Sequence, residues 1–144
     1  MEIPAAYTII TFDPACFWEA EFAGAQPAGL TVSEIAQVEA TLAPAIAKVN
    51  YQTEQSCAAY WAANPHSQFG REQALIDLPR YARQYVALTT STGEKLVWVQ
   101  LLRHPHAEWR TRLRWVLDGG NAYISAIISP EAGELRTLII NGSA

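Results

Sequence analysis

Residues 110–129 read RTRLRWVLDGGNAYISAIIS, and this stretch predicts a β-hairpin. Gly119 and Gly120 can both take positive φ without steric cost, which suits the central positions of a two-residue turn. The flanking segments, 110–117 and 122–129, are rich in the β-branched and aromatic residues that favour strands. Asp118 and Asn121 would then face each other across the turn and set the register of the two strands.

This register separates the two faces of the hairpin. Apolar pairs occupy one face, namely Leu117/Ala122, Trp115/Ile124, Leu113/Ala126 and Thr111/Ile128. The other face carries Val116/Tyr123, Arg114/Ser125, Arg112/Ile127 and Arg110/Ser129. A slip of one residue would exchange the faces and bury arginines. We therefore expect a helix to pack on the first face, and the second face to be exposed or engaged by something else.

The arginine row is the candidate binding surface that the sequence offers. Planar guanidinium groups suit carboxylates and phosphates, and a neighbouring aromatic ring adds stacking. The predicted binding residues are Arg110, Arg112, Arg114, Tyr123 and Arg136. The commoner explanation for such a row is a solvated sheet face, or pairing with the acidic N-terminal half of the chain.

Further strands are predicted at 80–90, 95–103 and 134–140, and a short one at 7–12. Short glycine-bearing connections between the C-terminal strands predict an antiparallel meander. A two-residue turn at Thr92-Gly93 would pair Leu88 with Val97, and both faces of that ribbon look partly covered. One turn of helix is expected at 16–22.

A long helix is predicted to begin at Thr31. Thr31 and Glu34 form a capping box, in which each side chain satisfies a backbone N–H at the helix start. Apolar residues then recur at helical spacing, at Ile35, Val38, Leu42, Ala45 and Val49. Pro44 should kink or divide this helix, which resumes over 51–63 and ends at Asn64-Pro65. Cys57, Tyr60 and Trp61 are candidate buried residues of the second part.

The expected fold is therefore α+β, as a single domain over residues 1–144. An N-terminal kinked helix, or helix pair, packs on a curved antiparallel C-terminal meander. A chain of 144 residues buries enough surface for a core without metal or disulfide support. Cys16 and Cys57 have no metal-site spacing and are expected to be reduced, partly buried thiols, with a single bridge as the alternative.

Charge and hydropathy exclude some classes of function. The net charge of −4 argues against nucleic acid as a partner, because phosphate attraction needs a basic surface. No apolar run approaches the length of a membrane span, and no secretory signal is visible, so a cytoplasmic location is expected. The charge is uneven: residues 1–70 carry seven acids and one base, and residues 71–144 carry seven acids and nine bases. Such asymmetry predicts attraction between the two halves.

The C-terminal half also resembles a group of small uncharacterised bacterial proteins. The resemblance covers about residues 75–144 and rests on several short motifs in order: Ile76-Asp77-Leu78, Tyr81, Arg83-Gln84-Tyr85, Gly93-Glu94-Lys95, Val97-Trp98-Val99, Asp118-Gly119-Gly120-Asn121-Ala122-Tyr123 and Asn141-Gly142-Ser143-Ala144. It implies a helix followed by a strand meander, similar to cystatin-like or NTF2-like folds. Relatives often carry cysteine where Ala122 stands, which argues against essential thiol chemistry there. The resemblance implies no activity.

The motifs that usually announce catalysis are missing from the sequence. His104, His106 and Glu108 are metal-ligand residue types, but no recognised metal spacing accompanies them, and an exposed proline-containing loop is the commoner reading. No phosphate-loop or nucleophile-elbow pattern is present. We therefore expect no cofactor, no bound metal and no catalytic residues.

Three functions remain open from the sequence. The leading hypothesis is a non-enzymatic binding or interaction module that engages a protein partner or a second copy of itself. The second is an NTF2-like ligand pocket or enzyme between helix and sheet, with polar groups such as Tyr85, Gln100 or Asp77. The third is an inhibitor or immunity-type protein that acts through the loop 104–109.

Overall fold

The computed structural model describes residues 4, 6–17, 19–113 and 123–140. One long helix and a six-stranded sheet form an α+β fold. The strands are β1 Tyr7–Ile9, β2 Gln26–Pro27, β3 Ala82–Thr89, β4 Lys95–Leu102, β5 Tyr123–Ser129 and β6 Glu134–Ile140. The α-helices are α1 Val32–Ala63 and α2 Arg71–Ala74, and 3₁₀ turns lie at Pro14–Cys16, Ala20–Phe22 and Leu78–Arg80. In the part of the chain that is described, no helix has the length and apolar character needed to cross a bilayer.

The sheet is mixed, whereas the sequence predicted an antiparallel one. Its strand order is β1-β3-β4-β5-β6, with β2 pairing separately with β3. The antiparallel meander β3 to β6 is confirmed, but β1 runs parallel to β3. A parallel pair needs a long crossover connection, and α1 supplies it here.

Helix α1 begins as predicted and continues through Pro44 without dividing. Both bonds of the Thr31–Glu34 capping box are present. Pro44 has no N–H to donate to the Ala40 carbonyl. Both residues are exposed, so water can donate a hydrogen bond to that carbonyl instead. The helix pair is therefore the wrong alternative. Tyr60, predicted as a buried residue, is 48% exposed because the second half of α1 has little of the fold packed around it.

One face of the sheet receives α1. Ile35, Val38, Leu42 and Ile46 of the helix are all at most 2% exposed. They belong to a core with alternating sheet residues, namely Tyr85, Ala87, Val97, Val99, Leu101, Ile124, Ala126 and Ile128. The prediction that Ile124 and Ala126 face the helix is confirmed.

The opposite face of the sheet is also buried: of the two alternatives predicted for its β5 residues, exposure is wrong. Ser125 and Ile127 are 7% and 2% exposed. The N-terminal segment covers them with three phenylalanines, Phe12, Phe17 and Phe22. Phe17 meets the ring of Trp98 edge-on at 5.3 Å between centroids. The sequence predicted a strand at 7–12 and one turn of helix at 16–22, but it did not predict this aromatic layer, because the phenylalanines follow no single strand or helix period.

The β3–β4 register differs by one residue from the predicted one. Ala87 pairs with Val97 and Tyr85 with Val99. The reason lies in the loop, where the Thr90 amide donates to the Glu94 carbonyl at 2.8 Å and Gly93 takes φ 90°. The connection is therefore a three-residue loop with a left-handed glycine, and not the two-residue turn expected from Thr92-Gly93.

The strand predicted over 110–117 does not form in its described part. Residues 110–112 lie in turns and bends, and β4 pairs directly with β5, as in Val99 with Ala126. The buried Gln84 amide donates to the carbonyls of Trp109 and Arg112, each at 2.6 Å. These bonds satisfy carbonyls that a strand would have offered to a neighbour. The turn Asp118–Asn121 and its pairs through 114–122 lie outside the described residues.

Candidate binding site

The predicted arginine row does not assemble on one sheet face. Arg110 lies over the Trp109 ring, 4.4 Å from its centroid, and Arg112 pairs with Glu108 at 2.8 Å, both within the turns after β4. Arg136 lies on β6 and pairs with Glu94 and Glu134.

Tyr123 begins β5 opposite Leu102, at the other end of that strand from the turn that leads to Glu134. Arg114 lies outside the described residues. The described arginines of the row therefore lie in two places, the turns after β4 and strand β6, each with local partners.

Ion pairs join the acidic half of the chain to the basic half, as the charge asymmetry predicted. Glu34 pairs with Lys95 at 2.9 Å, Glu39 with Arg83 at 2.9 Å, and Glu54 with Arg71. Burial raises the pKa of Glu34, but hydrogen bonds from Lys95 and Thr31 outweigh burial, so this pKa lies below its ordinary value. The three pairs are spaced along α1 and fix the helix to the segment that follows it.

The Glu39–Arg83 pair is the most buried of these and carries a hydrogen-bond network. The two side chains are 13% and 5% exposed. Arg83 Nη1 donates to the carbonyls of Leu78 at 2.7 Å and Tyr81 at 2.5 Å. The Tyr85 hydroxyl donates to Glu39 Oε2 at 2.6 Å. Burial and the Glu39 carboxylate raise the pKa of Tyr85, so its hydroxyl keeps its proton at physiological pH.

A groove of about 740 Å³ lies against this network, and we call it the helix groove. Helix α1 contributes Ala36, Ala40 and Ala43 to its lining, where alanine leaves space that larger side chains would fill. Its lining also includes Leu78, Pro79, Arg80, Tyr81, Arg83 and Pro105. The groove is therefore mainly apolar, with a bonded ion pair beneath it.

A second concavity of about 440 Å³ adjoins it, and we call this the arginine basin. Arg71, Arg80 and Arg103 line it together with Glu72 and Asp77. Arg80 lines both the basin and the helix groove. The Asn50 amide clamps the backbone of Ile76 behind the basin, with two hydrogen bonds of 2.8 Å each.

The arginines of the basin have different partners. Arg71 pairs with Glu54 and stacks on the Trp61 ring at 5.1 Å. Arg80 makes a 3.3 Å bridge to Asp77, and both side chains are more than half exposed, so the bridge contributes little. Arg103 lies near the Tyr81 side chain: burial raises the pKa of the phenol, and Arg103 opposes that rise.

Sequence reasoning missed this site, although a signal for part of it was present. The predicted strand 80–90 begins with Arg80, and the predicted strand 95–103 ends with Arg103. Antiparallel pairing places the start of one strand beside the end of the next, which brings Arg80 and Arg103 to one end of the sheet. Nothing in the pattern indicated that the middle of α1 and residue Asn50 would complete the site.

The polar groups proposed for a pocket between helix and sheet do not converge. Tyr85 is in the packed core beneath α1. Gln100 is on the opposite sheet face, where it accepts hydrogen bonds from Trp98 and Ser125. Asp77 lines the arginine basin.

None of the residues considered for metal and thiol chemistry lines the helix groove or the arginine basin, although Arg103 and Pro105, the two neighbours of His104, do. His104, His106 and Glu108 belong to the turns after β4. Over residues 4–113 and 123–140, less the few not described, no group of three His, Cys, Asp or Glu side chains is arranged to hold a metal ion. Cys16 and Cys57 are half-buried free thiols.

Comparisons with models of known protein families, with curated proteins and with solved structures give no match to this chain. The geometry of the helix groove and the arginine basin therefore carries the functional argument.

Proposed function

We propose that this chain is a non-enzymatic binding module that holds an extended segment of an acidic partner protein in the helix groove. The observation that carries the proposal is the pairing of an apolar, alanine-lined groove with the arginine basin beside it. Apolar lining supplies contact area, and the arginines supply orientation and a preference for negative charge.

The bonded network beneath the groove supports binding over catalysis. Glu39 is the carboxylate that lines the groove, and it accepts hydrogen bonds from Arg83 and Tyr85. A carboxylate held this way acts as a structural anion, because both of its oxygens are engaged within the protein. The groove therefore offers a preformed surface, which lowers the entropic cost of binding.

We also propose a subtype for the α+β fold and a group of proteins to which the chain belongs. The order of α1 followed by the meander β3 to β6 supports a cystatin-like or NTF2-like subtype and membership of the bacterial group that the C-terminal motifs resemble. We further propose a cytoplasmic setting, which fits the half-buried free thiols.

Site-specific photocrosslinking tests the function. A photoreactive amino acid replaces Ala40 in the groove or, as the matched control, Ala59 on the exposed second half of α1. We expect crosslinks from position 40 to one partner, and this partner should bind the purified chain and lose affinity when Ala40→Arg fills the groove. Equal crosslinking from both positions, or a partner that binds Ala40→Arg unchanged, would contradict the proposal.

Light scattering on the purified chain tests whether a second copy of the chain, and not a separate partner, occupies the helix groove. A dimer that Ala40→Arg dissociates would show that a second copy fills the groove, and the proposal of a separate acidic partner would then be wrong. A monomer at micromolar concentration is the expected result.

A further inference from the structure

We infer that the arginine basin is a carboxylate subsite, which receives one Asp or Glu side chain of the segment that lies in the helix groove. The inference rests on the proposed function, because it specifies which side chain of the partner binds in the basin. Arg80 lines both concavities, so a segment in the groove reaches the basin without leaving the surface.

Arg103 is the residue that recognises the carboxylate. It is half-buried and lines the basin, close enough to the Tyr81 phenol to oppose the rise that burial causes in the pKa of that group. Within the described residues, Arg103 forms no ion pair, whereas Arg71 and Arg80 each pair with a carboxylate. Arginine presents five N–H donors in a planar fork, which can hold both oxygens of a carboxylate.

Arg80 completes the subsite because its own partner is easily exchanged. Its bridge to Asp77 joins two side chains that are 62% and 58% exposed. Water screens such a bridge, so turning the guanidinium toward a ligand costs little. Arg71 differs, since Glu54 and the Trp61 ring both hold it in place.

The local charge favours one carboxylate over a phosphate. The lining carries three arginines and two acids, and Glu54 outside the lining pairs with Arg71, so that positive and negative charges are equal in number. A phosphate group brings a charge near −2 next to Glu72 and Asp77, which the basin does not balance. A single carboxylate adds half that charge, and it matches Arg103, the basin guanidinium without an acidic partner in the described part of the chain.

The backbone around the basin is held in place, which makes the subsite preformed. Asn50 fixes Ile76 through both of its amide bonds, and Arg83 fixes the carbonyls of Leu78 and Tyr81. These bonds lie on both sides of Arg80 in the chain. The guanidinium groups therefore start from a fixed framework, and only their side-chain torsions change on binding.

Side-chain NMR of the ¹⁵N-labelled chain tests the inference. The probes are a capped alanine-proline peptide with one central glutamate, the same peptide with glutamine, and acetate. We expect the glutamate peptide to shift the Arg103 Nε–Hε signal and the Ala40 and Ala43 amides, and the glutamine peptide to bind about tenfold more weakly. Acetate should shift Arg103 alone.

Two variants show whether Arg103 is responsible. Arg103→Gln should make the affinities for the glutamate and glutamine peptides equal. Arg112→Gln removes an exposed arginine outside the basin and should leave the roughly tenfold preference intact. Arg103→Lys keeps the charge and should retain part of the preference, and a melting curve shows that each variant is folded.

The outcomes separate the two proposals. Equal binding of both peptides to the unaltered chain would overturn the carboxylate subsite and leave the groove standing. Acetate binding at Arg103 without peptide binding would sustain the subsite and overturn the groove. No response to any of the three probes would overturn both.

Discussion

Glu39 and Arg83 show how one buried pair organises the centre of the molecule. The guanidinium binds Glu39 and the carbonyls of Leu78 and Tyr81, and the carboxylate also accepts from Tyr85. Five polar groups are thereby satisfied in a place with little water. The cost of desolvating them is met only while the set is complete.

Replacing one member should therefore cost more than its own bonds. We expect Glu39→Leu to lower the free energy of unfolding by about 3–5 kcal/mol, because it leaves the buried Arg83 charge without a counter-ion. Tyr85→Phe should cost about 1–3 kcal/mol, since the ion pair survives. Urea denaturation measures both, with Glu21→Leu as an exposed control. A loss below about 1 kcal/mol for Glu39→Leu would contradict the structural role of the pair.

Glu34 predicts a dependence of stability on pH. Its pKa is lowered in the folded chain, so its contribution is present above the ordinary carboxyl pKa and disappears as pH falls through the folded value. Glu34→Gln, which keeps the capping-box amide contact, should cost about 0.5–1 kcal/mol at pH 7 and almost nothing once the pH is well below the folded pKa of Glu34.

A double-mutant cycle with Lys95→Met checks the source of this effect. The two single changes should cost about the same at pH 7, and the double variant little more than either, because they remove one shared ion pair. The ion pair is not the cause if the two losses are fully additive. The same conclusion follows if the difference in free energy of unfolding between Glu34→Gln and the unaltered chain persists at acidic pH.

At the scale of elements, the β3–β4 connection sets a register that composition leaves open. Gly93 takes φ 90°, and an added Cβ would meet no atom within 4 Å. The strain of a larger residue there is therefore one of backbone conformation alone. Val86 then faces Trp98, and the alternation along both strands follows from this one loop.

Gly93→Ala should lower the free energy of unfolding by about 1–2 kcal/mol, because L-residues are strained in the left-handed region. Gly29→Ala is the matched control, since that position is equally open and has no positive φ. It should be neutral or slightly stabilising. Thermal unfolding of the two variants compares them, and equal melting temperatures would mean that the loop does not require glycine.

Helix α1 and the segment 110–113 show where local pattern succeeds and where it fails. The capping box predicted the start of α1, and the apolar stripe predicted its buried face, since both depend on residues within two turns of one another. The strand predicted at 110–113 failed because Gln84, distant in sequence, supplies donors to the carbonyls there. A propensity argument has no access to such a donor.

At the scale of the whole molecule, both sheet faces are covered by different means. Helix α1 covers one face with a regular stripe, and an irregular N-terminal segment covers the other with Phe12, Phe17 and Phe22. The second layer is built from rings in edge contact, with Phe17 against both Phe22 and Trp98.

Phe17→Ala should therefore destabilise the fold by about 3–5 kcal/mol, as expected for loss of a buried aromatic ring. Phe69→Ala is the control, because Phe69 is 47% exposed and should cost less than about 1 kcal/mol. Chemical denaturation followed by circular dichroism measures both. A small loss for Phe17→Ala would mean that the N-terminal segment lies on the sheet without stabilising it.

The amino-acid sequence by itself determined the α+β class, the start and buried face of α1, and four of the five strands predicted for the meander, because these follow from periodicity and capping between near neighbours. Only the tertiary structure decided which charges meet. It placed Arg80, Arg103 and Asn50 around one basin and separated Arg110 and Arg112 from Arg136. The physical reason is that a side chain's partners depend on which distant segments pack together, and packing satisfies buried polar groups wherever in the chain the donor or acceptor occurs.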